Sequence, residues 1–362
     1  MQYDAPVSGS EVLQHLDQNP SISDGTLAAF NAILDLDSNE AVSVGLYDGE
    51  NLTHPEGDLP DLVVVKPDAG DGESAEIDIP DEVEQNAKGY VFETDADVIV
   101  TFNTVERVIV MGTGNDLVTV EGDRNTTLEG ADGDDTLITS GGDDSVLGGD
   151  GNDSIDTGAG NDTVDGGAGR DTIVAGEGAD LINGGDDYDV VQLTGSITDW
   201  EISTTEEGQL VLTSVDNPDD SATLTDVEFV ELSEGSIAIT DNETDANTLR
   251  LYEGLLGRAA EQGGAEYWLG DVNSEGRTVQ DIANAFMHTE EYAEVMGNVT
   301  DLEFVTALYD NALGRTATED EAMYWVGNLE DGQDRAAVAV NIIGSPEAAE
   351  HIASVQILDG MV

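Results

Sequence analysis

The chain has 362 residues, 39% of them hydrophobic, enough for two or three domains with packed cores. Its 79 acidic residues against 10 basic ones leave a formal charge of −69, which argues strongly against a nucleic-acid-binding face and opposes compaction unless cations screen or bind it. There is no cysteine, which excludes disulfides, thiol catalysis and thiolate metal sites. An acidic surface also suits a salty medium, and only spacing can separate that from a specific cation requirement. The start, Met1-Gln2-Tyr3-Asp4-Ala5-Pro6, has no positive n-region and no apolar h-region, so no cleavable secretion signal is expected. No run approaches the roughly 18 apolar residues of a membrane span.

Residues 1–95 read as a mixed α/β region. Ser10-Glu11-Val12-Leu13 and Gly25-Thr26-Leu27 open short helical patterns, while Ala41 to Tyr47 and Leu62 to Lys66 read as strands. The acidic stretch from Pro67 reads as a loop or linker. Alternation in Asp97 to Phe102 and Glu106 to Val110 predicts strands leading into a repeat region, the two together spanning residues 96–192.

Residues 130–192 divide into seven consecutive nonapeptides. Position six is always Asp: Asp135, Asp144, Asp153, Asp162, Asp171, Asp180 and Asp189. Position eight is always aliphatic: Leu137, Val146, Ile155, Val164, Ile173, Ile182 and Val191. Met111 to Thr119 fits the same template with Asp116 at position six, and Val120 to Leu128 reads as a degenerate copy with Asn125 in the Asp place. Glu129 then reads as one extra residue in a bulge. Residues 193–244 alternate again and predict a small antiparallel β cap.

From residue 245 to 362 the period turns helical, and a second repeat appears. Leu251 to Arg258 returns as Leu308 to Arg315, and Tyr267-Trp268 returns at the same offset as Tyr324-Trp325. Thr300 with Glu303 and Thr318 with Glu321 form capping boxes, and Pro346 after Ser345 marks another helix start. Two copies of a unit of three or four short helices are expected.

The nonapeptide has a physical logic. Six glycine-rich residues permit a tight turn with positive φ, and three form a short strand with the aliphatic side chain inward. Two units make one coil with a strand on each side. Such a coil cannot bury its own core and must stack. Stacking brings turns two units apart together, so two Asp side chains and glycine carbonyls converge into an oxygen cage suited to Ca²⁺. Bare acidic turns would align carboxylates at roughly 5 Å, unfavourable by about a kcal/mol or more per pair. The ions are therefore expected to be part of the fold. Pairs two units apart, Asp135/Asp153, Asp144/Asp162, Asp153/Asp171, Asp162/Asp180 and Asp171/Asp189, suggest about five calcium ions, with Asp116 a candidate for one more. Carbonyl ligands are expected at Gly149, Gly151, Gly158, Gly160, Gly167, Gly169, Gly176 and Gly178.

On these residues, 111–192 resemble the RTX (hemolysin-type) calcium-binding repeats, which implies a parallel β-roll. Ala131, Thr139, Ser140 and Asp187 depart from the family's glycines and put the end sites in question. Residues 193–240 resemble the sheet that often follows such repeats. Residues 249–355 resemble a tandem helical domain of uncharacterised function, with an "LGR…YW" signature similar to phycobilisome-linker-type units. The implied fold class is multidomain β plus α: a central β-roll between a mixed N-terminal region, an antiparallel sheet and an all-α repeat pair. The resemblance also implies type I secretion from a Gram-negative bacterium by an uncleaved C-terminal signal, with which the ending "VQILDGMV" is compatible.

No catalytic motif is visible. His15, His54, His288 and His351 form no H-E-x-x-H, and neither G-x-S-x-G nor G-x-x-x-x-G-K-[ST] occurs. His288-Thr289 reads as a helix junction capped by Thr289. Tyr267-Trp268 and Tyr324-Trp325, with Arg258 and Arg315, suit either a glycan site or, preferably, core packing with local Arg pairing. The expected function is a secreted, calcium-folded, non-enzymatic protein of the cell surface or extracellular matrix, binding calcium and no nucleic acid, with itself, a polysaccharide or a protein as partner. The alternatives are a self-assembling surface-layer or filament subunit, and a polysaccharide-acting enzyme with its site in residues 1–95.

Overall fold

A computed structural model describes residues 7–36, 41–49, 51–54, 59–67, 74–103 and 107–358. The chain forms two compact units: residues 1–192 with 201–203 and 210–227, and residues 193–200 with 204–209 and 228–362.

The first unit is a parallel solenoid of two sheets. One sheet carries strands Leu117–Val120, Thr136–Ile138, Ser154–Asp156 and Thr172–Val174, then the start of Val190–Ser196. The other carries Thr126–Asp132, Ser145–Asp150, Thr163–Ala168 and Ala179–Asp186. The register advances by two nonapeptides per coil, as in Ser154↔Thr172 and Ser145↔Thr163. Two nonapeptides therefore make one turn of the solenoid. All seven position-eight side chains lie between the sheets, none more than 2% exposed. Each coil supplies only two of them, so the core exists only by stacking.

The parallel ladders do not begin near residue 96. One sheet continues back through Asp97–Phe102 to Ser74–Ile77, and the other through Arg107–Val110, Gly89–Phe92 and Leu62–Val65 to Val44–Tyr47. The stretch after Pro67, expected as loop, thus holds a strand at Ser74–Ile77; residues 68–73 lie outside the described residues. Here the coil length varies. Val44 pairs with Leu62, Leu62 with Gly89, and Gly89 with Val108, so the middle coil is half as long again as the first. No fixed period betrays them. Helices Gly9–Leu16 and Asp24–Leu34 close one face of this end. Val12, Leu16 and Phe30 pack with Val44, Leu62, Val64, Val91, Val108 and Val110 in one buried cluster. Strands covered on both faces read as continuous apolar runs such as Leu-Val-Val-Val rather than as alternation.

The degenerate repeat aligns differently from the sequence reading. Glu129 is in register with Val110 and Leu147, so it is not a bulge. Asn125 Oδ1 accepts from Asp143 N, and Thr126 N donates to Asp144 Oδ1, which places Asn125 at position five and Thr126 at position six. The extra residue falls within 121–125, because the steps Arg107↔Thr126 and Leu117↔Thr136 are each one residue longer than the steps Ile99↔Leu117 and Thr127↔Ser145 on either side. Glu129 is buried for another reason: its carboxylate accepts from the Ser23 amide and hydroxyl at the start of helix Asp24–Leu34.

Beyond the last repeat, Leu210–Ser214 is antiparallel to Ser221–Thr225, but Ser221–Thr225 itself pairs in parallel with Ala179–Asn183. The expected antiparallel cap is thus mixed, and this hairpin covers the open edge of the last coil.

In the second unit, strand Phe229–Thr240 pairs in parallel with Val355–Ile357. The "VQILDGMV" ending therefore begins as strand, and residues 359–362 lie outside the described residues. The helices come in two runs of four. Glu243–Leu251, which continues as a π-helical turn over Tyr252–Leu256, is followed by Gln262–Glu275, Val279–Phe286 and Glu290–Val295. Asp301–Leu313, Glu319–Glu330, Arg335–Ile343 and Pro346–His351 repeat them. The capping boxes at Thr300 and Thr318 form as read, and Thr289 caps its helix through Tyr292 N. The repeated aromatic pair splits its roles. Trp268 stacks on Phe286 and Trp325 Nε1 donates to Tyr309 Oη, while Tyr267 and Tyr324 are 61% and 62% exposed rather than core. Arg258 and Arg315 each pair with a near neighbour, Glu261 and Glu321, and with a Glu from a later helix, Glu291 and Glu347, and each lies over a ring, Tyr252 and Tyr309. No described helix is long and apolar enough to cross a membrane.

Candidate metal centre

Stacking sorts the position-six aspartates into two rows. Asp116, Asp135, Asp153, Asp171 and Asp189 precede successive strands of one sheet; Asp144 and Asp162 precede strands of the other, and Asp180 lies at the start of the next one. All eight are buried. Within a row each carboxylate is fixed by the coil below: Oδ1 of Asp135, Asp153, Asp171 and Asp189 accepts from the amide of Asp116, Asp135, Asp153 and Asp171, at 2.7–2.8 Å. In the second row Asp144 N and Asp162 N donate to Asp162 Oδ1 and Asp180 Oδ1. Position five makes a ladder of opposite sense. Asn152 N donates to Asp134 Oδ1 and Asn161 N to Asp143 Oδ1, so each coil is tied to its neighbour in both directions.

The second carboxylate oxygen is the chemically open group. Oδ2 of Asp116, Asp135, Asp144, Asp153, Asp162 and Asp171 is buried and has no hydrogen-bond donor. An unpaired buried acceptor of this kind costs free energy that a cation would recover. Those of Asp135, Asp153 and Asp171 each face a main-chain carbonyl of the next coil. A point at the Cβ position of Gly130 is 2.4 Å from Asp135 Oδ2 and 2.5 Å from Gly148 O. The same holds at Gly148 for Asp153 Oδ2 and Gly166 O, both 2.3 Å, and at Gly166 for Asp171 Oδ2 and Gly184 O, at 2.3 and 2.4 Å. Two acceptors thus converge with no proton between them, and only glycine at position one fits beside them. Donors that are all hard oxygens suit Ca²⁺. Among the described residues no three His, Asp or Glu side chains gather at one point, so main-chain oxygens would have to complete any cation shell.

The eight glycines expected to supply carbonyl ligands have positive φ, from 83° at Gly158 to 152° at Gly160. Their carbonyls run along the stack. Gly149 O, Gly151 O, Gly158 O and Gly160 O lie 1.6–2.1 Å from where a Cβ on Gly167, Gly169, Gly176 or Gly178 would stand. Gly158 O accepts from Glu177 N, and Gly178 O from Ser221 N. The carbonyls beside the open carboxylate oxygens are those of Gly148, Gly166 and Gly184, which repeat spacing did not single out.

Burial pushes these carboxyls well above the ordinary Asp value: Asp135 to about 8, Asp116, Asp153 and Asp180 to about 7, Asp144 and Asp171 to about 6. The amide donated to each Oδ1 works against the shift without cancelling it. Burial shifts each group toward the neutral acid, and a divalent cation would favour the charged form. Two residues outside the repeats join the rows. Asp220 lies near Asp180, its carboxyl raised by burial, and Asp226 O stands 2.1 Å from the Gly184 Cβ position. Both come from the hairpin segment, where nothing in the nonapeptide pattern points to them.

Residues 121–155 and 156–191 match the RTX calcium-binding nonapeptide repeat, and residues 240–296 and 283–352 match a domain of unknown function, DUF4214. No curated protein and no solved structure matches the chain. The chain carries RTX calcium-binding nonapeptide repeats followed by a DUF4214 domain.

Proposed function

We propose that this is a secreted, calcium-folded, non-enzymatic RTX protein that acts at the cell surface or in the extracellular matrix. Its solenoid serves as a rigid spacer once about five or more calcium ions occupy the turns. The ligands are Asp116, Asp135, Asp144, Asp153, Asp162, Asp171, Asp180 and Asp189, together with main-chain oxygens of the turn glycines. The observation that carries the reading is the row of buried carboxylate oxygens without donors, each facing a carbonyl. Low cation concentration inside a cell leaves these carboxyls costly to bury and the repeats unfolded, a state fit for export; millimolar calcium outside folds them. Fractionating cells with and without chelator tests the location. Protein found at the surface or in the medium agrees with it, and protein confined to the cytoplasm contradicts it. Calcium-dependent particle growth in light scattering would instead favour a self-assembling layer subunit.

An enzyme with its site near the N-terminus has one observation in its favour, a cleft of about 470 Å³ lined by His15, Ser21, Glu93 and Asp95 among others. Glu93 there binds both His15 and Lys66. Burial raises its carboxyl, but these hydrogen bonds and charges outweigh burial and hold it below the usual range. A carboxylate held that way is a poor proton acceptor at neutral pH and ties helix Gly9–Leu16 to the strand end.

A further inference from the structure

The two rows of turns differ at position one. In the row of Asp135, Asp153, Asp171 and Asp189, position one is Gly130, Gly148, Gly166 and Gly184. In the row of Asp144, Asp162 and Asp180, it is Thr139, Thr157 and Ala175. The consequence is visible at one carbonyl. Thr139 Oγ1 donates to Thr157 O at 3.1 Å, and Thr157 Oγ1 to Ala175 O at 2.9 Å. These are the position-one carbonyls of the next coil, equivalent to Gly148 O, Gly166 O and Gly184 O in the other row. The same threonine side chains lie beside the carboxylates of Asp144 and Asp162. In these two turns the threonine hydroxyl donates to the carbonyl and its side chain fills the space beside the carboxylate, while Asp144 Oδ2 and Asp162 Oδ2 themselves still receive no donor. In the glycine row no side chain stands between Oδ2 of Asp135, Asp153 and Asp171 and the carbonyls of Gly148, Gly166 and Gly184.

The glycine row is also closed at its far end. The Cβ position of Gly184 lies 2.6 Å from Asp189 Oδ2 and 2.1 Å from Asp226 O. Asp226 adopts a left-handed φ of 45°, rare for a residue with a side chain, and its carbonyl also accepts from Gly185 N at 3.2 Å. That carbonyl stands where the next coil's glycine carbonyl would stand if the repeats went on. Strain of this kind in a loop persists when the surroundings demand it.

We infer that the two rows are unequal calcium binders: the glycine row, completed by the Asp226 carbonyl, holds the tight ions, and the threonine row holds weaker ones. The inference rests on the calcium reading above. Fewer available oxygens and a filled cavity lower affinity for a cation that takes six or more oxygen ligands, so a gap of about tenfold or more is expected.

Calorimetric titration of calcium into the full, chelator-stripped chain tests it, with circular dichroism at saturating calcium to check folding. Two affinity classes are expected. Asp153→Asn should remove ions from the tight class and Asp162→Asn from the weak one. If both remove ions from the same class, or only one class exists, the inference is overturned. Should Asp153→Asn fail to fold, Thr157→Gly decides: it opens a threonine turn and should move an ion from the weak to the tight class, and an unchanged isotherm contradicts the inference. A wild-type chain that binds no calcium overturns the calcium reading itself, an outcome distinct from binding calcium equally in both rows.

Discussion

Two residues in the turns, Gly160 at position four and Ala131 at position two, show how tightly backbone and site are joined. Gly160 has φ 152°, and a Cβ there would stand 1.7 Å from Gly142 O. Gly160→Ala should therefore cost more than about 3 kcal/mol, through both the backbone conformation and the clash, read as a lowered thermal midpoint in saturating calcium. Ala131 sits at a glycine position with φ 81° and already bears the backbone cost. Ala131→Gly should stabilise the protein by about 1 kcal/mol, and a variant no more stable than wild type contradicts that account. Away from the repeats, Arg107 is fully buried, donates to Asn103 O, faces Glu84 at 3.6 Å and lies over the rings of Tyr90 and Phe102. Arg107→Ala leaves the Glu84 carboxylate buried without its cation, an expected loss of about 3–5 kcal/mol in denaturant unfolding.

The repeat coil as an element behaves as a stack of buried acids. Their folded-state values lie above those of an unfolded chain, so without calcium the fold takes up protons. The stabilising contribution is fully present below the ordinary Asp value of about 4 and is lost as pH rises through about 6 to 8. Circular dichroism of the chelated protein should thus show more strand at pH 5 than at pH 8, and calcium should abolish the difference. Equal strand content at both pH values in chelator contradicts it. This element was also the most legible in the sequence, because each nonapeptide position has one physical role: Asp135 and its equivalents as acceptors, Leu137 and its equivalents as core. The N-terminal coils were not legible. Strands such as Leu62–Val65 are buried on both faces, and the coils are unequal, the step from Leu62 to Gly89 being half as long again as the step from Val44 to Leu62. The shifted register around Asn125 escaped because an insertion inside a turn leaves the composition of the turn unchanged. Asp220 and Asp226 escaped because a neighbouring hairpin, not a repeat, brings them to the ends of the rows. The exposed Tyr267 and Tyr324 show a further limit: identical spacing placed Trp268 inward and Tyr267 outward, and periodicity alone does not distinguish neighbours on one helix.

Across the whole molecule, a formal charge of −69 makes every folded arrangement costly in the absence of cations. The repeats concentrate part of that charge in two buried rows, where it is least tolerable without a ligand and most useful with one. The central claim is therefore that calcium is part of the fold, and following far-UV circular dichroism of the full chain while calcium is titrated from chelator to about 10 mM tests it most directly. A cooperative gain of strand signal is predicted, reversed by chelator and not reproduced by matching the ionic strength with a monovalent salt. Strand content that is unchanged across the titration would contradict the account.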